Sequence, residues 1–266
     1  MPRIGLIFAF GLLLSPAGCV QVPPAAPPVL QRGDGSGAEI ARLRADLLRE
    51  VPQHGMQTEA ADQAWIARAR ASVAASPFTI DHPQLLVVVD RAPGVQVLRI
   101  ILAAPADTPW QVIGGSKVST GQAGRHGYFI TPTGVFQHTP SILDYRALGT
   151  FNENYIRGLG LKGMRVWDFG WQTAEKGWLT DHQTGDIRML LHATDPDYLE
   201  ARLGHPASQG CIRIPASMNR FLDVHGVLDA GYERAARDNA RVAEILLPER
   251  QPSTLAGDLL IVVDSS

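Results

Sequence analysis

The sequence predicts an α+β fold that is mainly β, on the strength of three observations. Apolar, β-branched runs broken by Pro and Gly begin near residue 78 and are typical of strands: L-L-V-V-V-D, V-Q-V-L-R-I-I-L and W-Q-V-I-G-G. Two segments ahead of them, about 38–49 and 58–75, have the spacing or composition of helices. The 266 residues, 45% hydrophobic and 19% charged, suffice for one sizeable core with appendages.

The N-terminus predicts export from the cytoplasm. Arg3 precedes an apolar run over residues 4–14, and small residues follow it. This run is shorter than the roughly 20 apolar residues that span a bilayer. The pattern is that of a signal peptide over residues 1–18.

The exit of this segment, Ala17-Gly18-Cys19, resembles a bacterial lipobox, with Pro16 where leucine is usual. The resemblance implies that Cys19 is lipidated, and Val20 in place of Asp favours the outer membrane. We therefore expect a periplasmic protein anchored to the outer membrane through Cys19; cleavage without lipidation is the alternative.

The remaining organisation follows from composition and periodicity. Thr58 is a candidate cap for the second helix, and the last helix and strand are expected at about 230–246 and 259–263. The predicted segments are a Pro/Gly-rich tether (19–37), a helical hairpin (38–77), a catalytic domain (78–228) with a lid-like insertion (139–187), and a C-terminal helix and strand (229–266).

Charge and cysteine content narrow the function. A formal net charge of −2 argues against a nucleic-acid partner. If Cys19 carries lipid, Cys211 is the only thiol of the mature chain and lies in an oxidising compartment. An unpaired cysteine there indicates intermolecular pairing or a reactive thiol, and a small buried core residue is the alternative.

Cys211 lies in the stretch A-S-Q-G-C-I-R-I, which suits a nucleophile. Nucleophilic catalysis needs a thiolate, a base and donors for the oxyanion. Gly210 permits a sharp turn, so that the amides of Gly210 and Cys211 can face an oxyanion. His192 ends an apolar strand and precedes a polar turn, which makes it the candidate base; a structural histidine is the alternative.

These residues carry a family resemblance. L-H-A-T at His192, fifteen residues, and then S-Q-G-C-I-R from Ser208 resemble the signature of the L,D-transpeptidase catalytic domain, the YkuD type. V-S-T-G at 118–121 and T-P-T-G-V-F at 131–136 resemble its earlier motifs in the same order. The similarity covers about residues 85–224 and implies a mixed β-sandwich or barrel-like domain.

The resemblance implies a role for each matching residue. Cys211 would be the nucleophile and His192 its base, held as a thiolate–imidazolium pair. The Ala193 carbonyl would orient the imidazole, and the Gly210 and Cys211 amides would form the oxyanion hole. Arg213 would brace the site or bind a substrate carboxylate, with a structural ion pair as the alternative.

The block before the cysteine departs from the family at one position. The family has histidine where this chain has Gln209, which can donate a hydrogen bond but carries no positive charge. We expect Ser208 and Gln209 to contact substrate, with altered substrate positioning and an active enzyme.

The insertion over 139–187 holds three of the five tryptophans. Its aromatic residues, among them Tyr155, Trp167 and Trp171, are candidates to line a groove for an extended peptide or a sugar. Packing in the core or within a lid is the alternative for each of them.

The resemblance implies a cell-wall transferase that acts on peptidoglycan peptide stems without cofactor, metal or ATP. Its substrate would be a tetrapeptide stem, attacked at the third-residue carbonyl with loss of D-Ala. Hydrolysis on the same scaffold, as an L,D-carboxypeptidase or amidase, and a non-catalytic peptidoglycan-binding lipoprotein are the alternatives. A zinc hydrolase is disfavoured because His182, His192, Asp195 and His205 lack ligand spacing.

Overall fold

Two β-sheets packed face to face form the centre of the structure, a computed structural model that describes residues 36–52, 59–105 and 108–266. The predicted signal peptide, Cys19, most of the tether and the cap at Thr58 lie outside the described residues. Among the residues described, no helix is long and apolar enough to cross a membrane.

The first sheet has five strands and the second has four. The strands in chain order are β1 (Gln84–Asp90), β2 (Val97–Ala103), β3 (Gln111–Lys117), β4 (Gly134–Gln137), β5 (Tyr145–Arg146), β6 (Arg165–Glu175), β7 (Thr184–Ala193), β8 (Ile212–Ile214) and β9 (Leu259–Val263). Sheet A has the order β3-β2-β1-β9-β4, and sheet B has the order β5-β6-β7-β8. The β1–β9 and β7–β8 pairs are parallel and the others are antiparallel.

In the part of the chain that the structure describes, five α-helices and one 3₁₀ turn surround the sheets. They are α1 (Ser36–Glu50), α2 (Glu59–Ala74), the 3₁₀ turn (Glu200–Arg202), α3 (Ala216–Val224), α4 (Ala230–Ala235) and α5 (Ala240–Ala243). The structure is therefore α+β with more strand than helix and two mixed sheets, which confirms the predicted fold class.

Sheet A is covered on both faces, which explains its continuous apolar strands. Leu85 and Val87 of β1 face one core cluster together with Leu43 of α1. Leu86 and Trp65, from β1 and α2, belong to the cluster on the opposite face. The predicted helical hairpin is therefore wrong: the two helices form, but they pack on opposite faces of the sheet, because each has an apolar face that needs the sheet to cover it.

Sheet B presents one face to sheet A and leaves the other for the site. Trp167, Leu191 and Ile212, on three neighbouring strands, all lie in the core cluster that includes β1 and α1. Because side chains alternate along a strand, the residues between them point to the opposite face of sheet B.

The predicted lid over 139–187 is wrong for β6 and for the start of β7, which form the long central hairpin of sheet B. Trp167 is fully buried, so its expected contact with substrate is also wrong. The physical reason is alternation: Trp167 and Phe169 are the core-facing residues of a strand.

The predicted helix at 230–246 is broken into α4 and α5. Asn239 caps α5 by accepting hydrogen bonds from the amides of Arg241 and Val242, at 3.1 and 3.4 Å. Asparagine favours such a cap over a helix interior, which is why the chain restarts there. The last strand, β9, forms at the predicted residues.

Candidate active site

The strand register brings the candidate catalytic residues onto one face of sheet B. Leu191 is paired with Ile212 and His192 with Arg213 across β7 and β8. Since Leu191 and Ile212 face the core, His192, Cys211 and Arg213 share the opposite face, which we call the site face. Val166 of β6 is paired with His192 and continues this face.

His192 is held in one tautomer by its own strand. Its Nδ1 lies 2.7 Å from the carbonyl oxygen of Ala193, and a carbonyl only accepts, so Nδ1 carries the proton. Burial lowers the pKa of His192 to about 4, and the charge of Arg213 acts in the same direction. The ring is therefore neutral near pH 7, with the lone pair of Nε2 available to take a proton.

Cys211 ends a loop whose backbone is fixed at several points. The Phe129 amide donates to the Gln209 carbonyl at 3.3 Å, and the Thr131 hydroxyl donates to the Gly210 carbonyl at 2.8 Å. Gly210 has a φ of +127°, and an added Cβ would lie 2.7 Å from Ile187 Cδ1. This loop therefore needs glycine before the cysteine, as the sequence predicted.

The pKa directions of the two groups favour a neutral thiol and imidazole over the expected thiolate–imidazolium pair. Burial raises the pKa of the half-buried Cys211 thiol above its ordinary value, although Arg213 opposes that shift. With His192 neutral as well, the proton stays on sulfur until a reaction removes it. The Cys211 sulfur lies 3.7 Å from the Arg188 carbonyl oxygen, which accepts a weak hydrogen bond from the thiol.

Ser208 and Gly210 use their hydrogen-bonding groups within the loop, which the sequence did not predict. The Ser208 hydroxyl donates to the Cys211 carbonyl at 2.5 Å and accepts from the Gly210 amide at 3.1 Å. Ser208 is buried, so it braces the loop, and its expected contact with substrate is wrong. The Gly210 amide is likewise already bonded, which corrects the expected pair of oxyanion donors. Within the described residues the Cys211 amide has no acceptor.

Arg213 forms no ion pair with a described residue, so the alternative of a structural ion pair is not met. Its guanidinium donates to the Ala207 carbonyl at 3.3 Å, while its buried Nε has no partner among the described residues. Burial lowers the pKa of Arg213, and among the described residues the opposing charges near it are the ionised forms of Cys211 and Tyr128. A half-buried cation on the site face without a carboxylate suits an anionic group of a ligand.

An ion pair that the sequence did not predict lies beside the cysteine. Arg188 forms an ion pair with Asp168. Its Nε lies 2.8 and 2.9 Å from the two carboxylate oxygens, and its Nη2 lies 2.8 Å from Oδ2. Burial raises the pKa of Tyr145, and the negative charges of Asp168 and of the ionised form of Cys211 act in the same direction. Arg188 and His192 are four positions apart in β7, and this even spacing is the signal in the sequence that both side chains point to the site face.

Three of the predicted substrate contacts are exposed: Trp171, Tyr155 and Gln209. Trp171 pairs with Arg188 in the strand register and is 67% exposed, so it lies on the site face as an open aromatic surface. Tyr155, 77% exposed, lies in the loop between β5 and β6. That loop is attached close to His192, since the Arg157 amide donates to Asp195 at 2.7 Å. The Gln209 side chain is exposed next to the cysteine.

Two clusters of side chains that could converge on a metal ion lie outside the site face. Among the described residues they are Asp46, Glu50 and His225, and His138, Asp144 and Asp229. Each cluster already contains a cation, as Arg42 lies 3.0 Å from Asp46 and Arg165 lies 2.7 Å from Asp144. The guanidinium groups neutralise these acids, which makes both clusters structural ion networks.

A family comparison agrees with this geometry. Residues 103–228 match the family model of the L,D-transpeptidase catalytic domain, YkuD, and this range contains the whole site face. A comparison with curated proteins gave no match. The ordered motifs, the two mixed sheets and the family match together identify residues 103–228 as an L,D-transpeptidase catalytic domain of the YkuD type.

Proposed function

We propose that this protein is a cysteine L,D-transpeptidase that cross-links peptidoglycan. The observation that carries the proposal is the register of β7 and β8, which puts Cys211 and a neutral His192 on the same face of sheet B, within the residues that match the family. The donor is a tetrapeptide stem, attacked at the carbonyl of its third residue, diaminopimelate.

The side chains of the site face support a complete acyl transfer. As the Cys211 sulfur bonds to the donor carbonyl carbon, Nε2 of His192 accepts the thiol proton. The carbon–nitrogen bond to D-Ala then breaks, and the imidazolium returns the proton to the leaving amine. An amine of a second stem attacks the thioester, loses its proton to His192 and releases Cys211 as the thiol.

Electrostatics favour this order of events. Because both partners are neutral before the attack, negative charge develops on the oxyanion in a site that already holds Arg213. The Cys211 amide is the available oxyanion donor. Arg213 meets a carboxylate of the stem, and Trp171 and Tyr155 offer stacking surfaces to the rest of the substrate.

We place the reaction in the periplasm, with the chain anchored to the outer membrane through lipid on Cys19. This part of the proposal rests on the N-terminal sequence alone, which lies outside the described residues. It is consistent with the substrate, since peptidoglycan is outside the cytoplasm.

The function is tested by incubating the purified protein with tetrapeptide muropeptides and analysing the products by mass spectrometry. We expect a dimer that has lost one D-Ala, and fragmentation identifies the acceptor amine. Tripeptide with free D-Ala would replace the proposal with an L,D-carboxypeptidase. No change in the muropeptides would leave a non-catalytic peptidoglycan-binding protein. A Cys211→Ala sample is the control and should return the substrate unchanged.

A further inference from the structure

Thr131 connects the segment after β3 to the peptide group next to the nucleophile. Its hydroxyl accepts a hydrogen bond from the Gly121 amide at 2.8 Å and donates one to the Gly210 carbonyl, also at 2.8 Å. The residue is fully buried, at 0% exposure. A hydroxyl has one proton, so the bond that it accepts from Gly121 leaves that proton for Gly210.

The Gly210 carbonyl belongs to the same peptide unit as the Cys211 amide. In a trans peptide the C=O and N–H point in opposite directions. Holding the Gly210 oxygen towards Thr131 therefore fixes the Cys211 N–H on the side away from Thr131. Within the described residues that N–H has no acceptor, whereas the neighbouring Gly210 N–H is used by Ser208.

We propose that Thr131 is a positioning residue that sets the direction of the Cys211 amide as the oxyanion-hole donor. This inference rests on the proposed acyl transfer. Thr131 would not touch the substrate or take part in proton transfer; it would act through the Gly210–Cys211 peptide. The peptide has freedom that needs such a constraint, because Gly210 adopts a φ of +127° and glycine is the most mobile of residues.

Two reagents separate this role from a general structural one. Acylation of Cys211 by a carbapenem builds an oxyanion and needs the donor. Alkylation of Cys211 by iodoacetamide needs the same sulfur and no oxyanion. We would measure both rate constants by intact-protein mass spectrometry for the wild type and for Thr131→Val, which keeps the shape and removes the hydroxyl.

The expected result is a carbapenem acylation rate that falls by about 10- to 100-fold in Thr131→Val, since a small misplacement of a reacting group has effects of this size. Alkylation should stay within about twofold of the wild type, because no oxyanion-hole donor takes part in it. Thr131→Ser, which keeps the hydroxyl, should restore acylation. The matched control is Thr133→Val, the same change at an exposed threonine two residues further on.

Other outcomes overturn the inference in distinguishable ways. Acylation of Thr131→Val at the wild-type rate would remove the positioning role. An equal fall of acylation and alkylation, not restored by Thr131→Ser, would make Thr131 a structural residue only. A wild type that iodoacetamide alkylates at Cys211 and a carbapenem does not acylate would overturn the proposed function, and this inference with it.

Discussion

Sheets A and B both contribute apolar side chains to the core, but they differ in what lies on their second face. In sheet A every residue of β1 is buried, because α2 covers one face and α1 with sheet B covers the other. In sheet B one face packs into the main apolar core, and the other carries His192 and Cys211. The catalytic side chains and the main core therefore lie on opposite faces of sheet B. Substitutions can change one set of residues without changing the other.

This difference predicts which substitutions change activity and which change stability. Removing a group from the site face should slow acylation with little effect on folding. Removing apolar volume from sheet A should lower the free energy of unfolding with little effect on the rate per folded molecule.

Apart from removal of the nucleophile itself, the largest expected effect on activity comes from His192→Asn. Asparagine keeps an N–H for the Ala193 carbonyl and removes the Nε2 base, so the carbapenem acylation rate should fall by about 10²- to 10⁴-fold. The melting temperature should change little. The matched control is His205→Asn, the same change at an exposed histidine, which should keep the wild-type rate. An unchanged rate in His192→Asn would remove the base from the mechanism.

The largest expected effect on stability comes from Leu98→Ala in β2. Leu98 is fully buried in the core between the sheets, and deleting such a side chain costs about 2–5 kcal/mol. Urea unfolding measures this loss. Leu148→Ala, at a leucine that is 76% exposed, should stay within about 0.5 kcal/mol. A Leu98→Ala protein whose folded fraction is acylated tenfold more slowly would contradict the separation of the two sets of residues.

The pH dependence of acylation should show a neutral base. Burial sets the pKa of His192 at about 4, so the rate should fall as pH drops through that value, because the ring is then protonated. Above it the rate should be level up to about pH 8, since the thiol pKa is raised and does not limit the plateau. A rate that stays level as pH drops through about 4 would contradict a neutral base with this pKa.

The smallest expected effect is that of Gln209→Ala. The side chain is exposed and offers the substrate one neutral hydrogen bond, worth about 0.5–1.5 kcal/mol, so acylation should slow by about 2- to 10-fold. Gln251→Ala, at another exposed glutamine, is the control. A 1000-fold loss in Gln209→Ala would place this residue among the catalytic groups.

Sheet A is easier to predict from the sequence than sheet B. Strands such as β1 and β9 are unbroken apolar runs, which need no partner to be recognised. The chain from 165 to 175 was misinterpreted as part of a lid because its site-face residues, Asp168 and Trp171, are polar or exposed. Their alternation with Trp167 and Phe169 is interrupted by a bulge between Asp168 and Trp171.

The site was predictable to the extent that its motifs are local. Cys211, His192 and the Ala193 carbonyl are where the motifs put them. The contacts that fix the loop are not local: Thr131 reaches Gly210 over 79 positions, and Arg188 reaches Asp168 over 20. A single sequence does not contain such pairings, because they depend on which strands become neighbours.

The central claim, that Cys211 is a nucleophile, is tested most directly by intact-protein mass spectrometry after incubation with a carbapenem. The wild type and Cys211→Ala differ only at this thiol, and both keep Cys19. We expect the wild-type mass to increase by one carbapenem molecule and the Cys211→Ala mass to stay unchanged. An adduct on Cys211→Ala, or none on the wild type, would contradict the claim.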